Sequence, residues 1–90
     1  MRSQLFTARA AALFASGLPA GSRPSAHIVD AAIAGAVRQC GGTRGCVAQM
    51  AAAYGDYPET AAQRMRWARG VVETAYGIPH QQRDRELVAA

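Results

Sequence analysis

Between Ser25 and Gly42 the apolar residues Ile28, Val29, Ala32, Ile33, Ala36, Val37 and Cys40 recur at intervals of three and four. Residues so spaced share one side of an α-helix, while Asp30, Ala34 and Arg38 fall off the stripe. The punctuation agrees with the period. Ser25 stands where an N-cap hydroxyl can accept a free N–H of the first turn, and Gly41–Gly42 supplies the conformational freedom that ends a helix. The pattern therefore predicts a helix over residues 25–39, the clearest amphipathic element of the chain.

Two more helices follow from the same rules. Thr43 is a candidate cap for the second, with Val47, Met50, Ala51 and Tyr54 as its apolar face and Gly55 as a left-handed terminator. The run "DYPET" then turns the chain. Pro58 suits a first helical turn, where its missing N–H costs nothing, and Glu59 favours the positive end of the helix dipole. The third helix is expected to end at Tyr76, ahead of Gly77 and Pro79. Alanine makes up about a quarter of the 90 residues, and this strong helix former buries little area, so close helix–helix contact is expected. Runs of β-branched and aromatic residues that would argue for strands are absent.

Residues 1–29 contain no acid. Leu5, Phe6, Ala10, Leu13 and Phe14 make a rough helical stripe, and "GLPAGSRPS" reads as a linker. Acid-free openings of this kind occur in transit and signal peptides, but Arg9 interrupts the apolar run. No segment approaches the roughly 18 uninterrupted apolar residues of a membrane span. The expected architecture is all-α: an N-terminal arm or short helix and linker (1–24), a three-helix core (25–77) and a tail (78–90), in a cytoplasmic protein with no membrane partner.

All ten basic residues are arginine and the formal net charge is +4, a balance compatible with a polyanionic partner. Catalytic chemistry has little to stand on. No Ser/His/Asp or Cys/His constellation has readable spacing, the acids are scattered, and "CGGTRGC" lacks the lysine and preceding strand of a phosphate-binding loop. The chain reads as non-enzymatic and free of cofactors. Cys40 and Cys46, with His27 and His80, match no usual zinc spacing. A disulfide across the intervening glycines is geometrically open; otherwise Cys46 is a small core residue and Cys40 ends a helix face. His27 reads as a solvated polar side chain.

The third helix has two faces. On a wheel, Ala61, Met65, Ala68, Val72 and Ala75 share the core side, while Thr60, Gln63, Trp67, Val71 and Thr74 lie almost opposite. One use of the second face is DNA recognition. Thr60, Gln63, Arg64 and Trp67 would then face the groove, Gln63 suited to adenine and Arg64 to guanine or phosphate, with Arg44, Arg66 and Arg69 on phosphates. A homodimer is expected in that case, because one small module makes few base contacts. Asp56 and Glu59 oppose this use by repelling phosphate. The alternative is a packing surface: Trp67 and Val71 are covered by the N-terminal apolar residues, by a second subunit or by a partner protein, and Arg69 pairs with Glu73. The chain is then a helical interaction or adaptor module.

The run "VAQMAAAYGDYPETAAQRM" resembles the helix-turn-helix pattern. Met50 and Ala51 stand in the first helix, Tyr54 before the turn, Gly55 within it, and Ala62 and Met65 inside the second helix. It departs by a turn about one residue longer than the tightest version, and by Asp56 where an apolar residue usually follows the glycine. The longer run from Gly42 to Val72 is similar to segments of small proteins from high-G+C bacteria. That second likeness carries no activity; the helix-turn-helix resemblance implies a DNA-binding regulator of transcription.

Overall fold

The computed structural model describes residues 2–77, and the expected tail lies outside them. They form α1 (Arg2–Ala15), α2 (Ala26–Cys40), α3 (Thr43–Asp56) and α4 (Pro58–Tyr76). The fold is all-α. No helix among the described residues is long and apolar enough to cross a membrane.

The ends of α2 follow local chemistry as expected. Ser25 accepts the Ile28 N–H at 3.3 Å from an extended backbone. At the other end Gly41 adopts φ 76°, and the N–H groups of Gly41 and Gly42 donate to Arg38 and Val37 at 3.3 and 2.8 Å. This is the Schellman arrangement, which satisfies carbonyls the helix leaves open. Gly42, at φ 124°, takes the capping position of α3, so Thr43 becomes its first helical residue rather than its cap.

The end of α3 differs from expectation. Gly55 is not left-handed; it stays helical, and the break comes at Tyr57 (φ −141°, ψ 71°). The physical reason is Pro58, whose ring disfavours the α conformation in the residue before it. Tyr57 alone separates α3 from α4, so the expected "DYPET" turn contracts to one residue. Pro58 opens α4 as foreseen, and Gly77 closes it by donating to the Glu73 carbonyl at 2.8 Å.

The N-terminal segment is a fourteen-residue helix at the centre of the bundle, packing on α2, α3 and α4. Ala10, Ala11, Ala12, Leu13 and Phe14 are buried in succession, which requires neighbours on every side of the helix. Alanine at three of these positions lets the other backbones approach. Leu13, Phe14, Val29, Ala61, Ala68 and Val72 form the main core, and Ala12, Ala36 and Cys46 a smaller one. Ala61, Ala68 and Val72 confirm the core side assigned to the last helix. Ile28 and Val47 do not follow their stripes inward, being 48% and 38% exposed. The apolar stripe of each helix is wider than the strip its neighbours cover.

Tyr76 joins three helices. Its hydroxyl donates to the Asp30 carboxylate on α2, and the Arg9 guanidinium of α1 lies 3.8 Å from its ring centre. Burial and the Asp30 carboxylate push the Tyr76 hydroxyl above the usual tyrosine range, against an opposing pull from Arg9.

Cys40 and Cys46 are free thiols. Cys46 is buried, donates to the Ala36 carbonyl at 3.6 Å, and has its pKa pushed up to about 11 by burial and by Cys40. Since this folded value lies above the unfolded one, the contribution to stability is complete below about pH 9 and is lost as pH rises through about 11. Because the thiolate is the reactive form, Cys46 is expected to resist iodoacetamide at neutral pH until the protein unfolds. Mass spectrometry showing rapid native alkylation of Cys46 would contradict its place in the core.

Candidate functional site

The linker between α1 and α2 is an ordered strap. Ser16 Oγ donates to the Leu13 carbonyl at 2.6 Å and accepts the Leu18 N–H at 3.3 Å. Further on, Ser22 donates through N and Oγ to the Pro19 carbonyl at 3.2 and 2.8 Å, and Gly21 takes φ 91°. These local turns lay residues 21–24 beside α4.

Two side chains of α4 hold the strap and the end of α1. Arg64 donates from Nε to the Phe14 carbonyl at 2.8 Å and from a terminal nitrogen to the Ser16 carbonyl at 2.9 Å. A cation at a helix C-terminus also meets the negative end of the dipole. The Arg64 guanidinium lies 5.7 Å from the Phe14 ring centre and 5.0 Å from that of Trp67, and burial holds its pKa below the usual arginine value. Trp67 Nε1 donates to the Ser22 carbonyl at 2.8 Å, and its ring packs against the main core. Trp67 is the only tryptophan of the chain. Its emission is expected to be blue-shifted and partly shielded from acrylamide in the free protein, and to move red on unfolding. Emission at the free-indole wavelength in the native state would be incompatible with this contact.

The residues expected to read DNA are thus divided. Arg64 and Trp67 are engaged by the N-terminal segment and the linker. Thr60 and Gln63 are exposed on the N-terminal half of α4, with Thr60 in a shallow cleft shared with Asp56 and Glu59. Arg69 is exposed, with its guanidinium 5.9 Å from the Phe6 ring centre instead of paired with Glu73. Arg44 is exposed on the first turn of α3. Arg66 is exposed and belongs to a different constellation.

That constellation is a groove of about 440 Å³ between the strap and the C-terminal half of α4. Arg23 and Pro24 line it from the strap, and Arg66, Trp67, Val71 and Thr74 line it from α4. Gly70 lies between these α4 residues, and a Cβ built there meets nothing within 4 Å. The groove falls within the size range of ligand clefts, about 300–1,000 Å³. Arg23, Pro24 and Gly70 were not among the residues singled out from sequence. A linker arginine carries no periodic signal, and its distance along the chain from α4 hides the pairing.

No family model, curated protein or solved structure matches the chain.

Proposed function

We propose that the protein is a non-enzymatic helical interaction module that holds a protein partner on the face formed by α4 and the 21–24 strap. The observation that carries this reading is the groove, lined by two exposed arginines and by Trp67 and Val71. Its lining contains the apolar pair that the packing alternative singled out. The DNA-binding reading loses two of its central contacts, because Arg64 and Trp67 are bonded to carbonyls of the chain itself. Asp56 and Glu59 at the α3–α4 junction add charge of the wrong sign for phosphate.

Site-specific photo-crosslinking in the producing cell tests the proposal. A photoreactive residue at Thr74, inside the groove, is expected to form a protein adduct, whereas one at exposed Gln49 on α3 is not. No adduct from Thr74, or equal adducts from both, would defeat the reading. So would a solution mass that rises on adding DNA at low salt and falls back steeply with added salt, the signature of phosphate contacts.

A further inference from the structure

The partner's chemistry can be taken further, on the reading that the groove is a protein-binding site. We infer that the groove binds an acidic peptide segment, with one bulky apolar side chain seated over Gly70 and flanking carboxylates paired with Arg23 and Arg66.

Charge is the first argument. Among the described residues, the lining includes Arg23 and Arg66 and no acid. The groove's hydroxyls are already committed, Ser22 Oγ to the Pro19 carbonyl at 2.8 Å and Thr74 Oγ1 to the Gly70 carbonyl at 3.0 Å. The Ser22 carbonyl is taken by Trp67. Among the described residues, the side-chain donors left to meet a ligand are therefore guanidinium groups, whose planar fork matches a carboxylate in two parallel hydrogen bonds.

Shape is the second argument. Trp67, Val71 and Pro24 supply apolar surface, and Gly70 lines the groove with no side chain, where a Cβ would meet open space. An occupant must bring an apolar group and anions within one short span. Neighbouring residues of an acidic, hydrophobic peptide do so. A nucleic acid instead presents a regular line of phosphates and calls for a longer basic track, which Glu59 and Glu73 interrupt along α4.

Tryptophan-free synthetic peptides titrated against the full chain, followed by Trp67 emission, test the inference. The probes are peptides with a central leucine or phenylalanine flanked by glutamates, the same peptides with glutamines, and a mixed-sequence single-stranded oligonucleotide. The glutamate peptides are expected to bind, and the glutamine set to be weaker by about tenfold or more, the scale of one charge-assisted hydrogen bond. Arg23→Gln and Arg66→Gln should each lower affinity about tenfold. Gly70→Leu puts a side chain into this open space and should abolish binding while helical circular dichroism is kept and the melting temperature does not fall. Equal binding of glutamine peptides, unchanged binding by Gly70→Leu or by both arginine variants, preferential binding of the oligonucleotide, or no peptide binding would each overturn the inference. If the peptides fail while Thr74 still crosslinks a protein, the acidic chemistry falls and the interaction module stands; if both fail, both fall.

Discussion

Gly45→Ala is expected to destabilise the domain by about 3 kcal/mol or more, the upper range for overpacking. A methyl group at Gly45 would overlap the Cys40 carbonyl oxygen and lie 2.8 Å from its carbon. The obstacle is backbone, so no side-chain rotation relieves it. The two-residue turn at Gly41–Gly42 leaves little slack, since its hydrogen bonds to Val37 and Arg38 tie it to α2. A domain this small has a total stability of only about 5–10 kcal/mol. The melting temperature should fall by about 12–24 °C, at roughly 4–8 °C per kcal/mol. Gly70→Ala supplies the opposite case. Its methyl enters open space within a helix, so stability should rise by about 1 kcal/mol. Thermal melts followed by circular dichroism at 222 nm decide both, and a Gly45→Ala melt matching the parent would refute the close approach of α3 to α2.

Removing the Arg64 guanidinium is the second large effect. Arg64→Met keeps much of the stem while deleting the donors to Phe14 and Ser16, which lie 50 and 48 residues away in sequence. The expected loss is about 2–3 kcal/mol, from charge-assisted bonds and the helix-dipole contact. Arg64→Lys should recover only part of it, because an ammonium lacks the rigid fork that reaches both carbonyls. Exposed Arg66 offers the control: Arg66→Met should change stability by less than about 0.5 kcal/mol. Denaturant titration measures all three, and equal effects at 64 and 66 would contradict the structural role of Arg64. The contrast also bears on function. Lost binding in an Arg64 variant would report a damaged fold, whereas lost binding in an Arg66 variant would report the groove.

Much of the architecture was legible because its causes are local. Ser25, Gly41, Pro58 and Gly77 act on backbone groups within one turn, and the three- and four-residue spacing of α2 and α4 identified core residues such as Val29, Ala61, Ala68 and Val72. Gly55 misled because it competes with Pro58, and the proline's steric effect on Tyr57 prevailed. Leu13 and Phe14 were visible as apolar, but not as the centre of the bundle. A run of small residues is compatible with burial on every side and with none.

The candidate site was half visible. Trp67 and Val71 could be seen to need a cover, since an apolar second face is unfavourable in water. What covers them depends on the path of the linker, and that path is decided by contacts across more than forty residues, such as Trp67 to Ser22. The sequence by itself determined that the chain is helical, where α2 and α4 start and stop, and that it carries excess positive charge. The tertiary structure alone decided that Arg64 faces inward and Arg66 outward, and that Arg23 joins the groove. Capping and periodicity act over a few residues, whereas the environment of a side chain is set by whichever distant backbone folds against it.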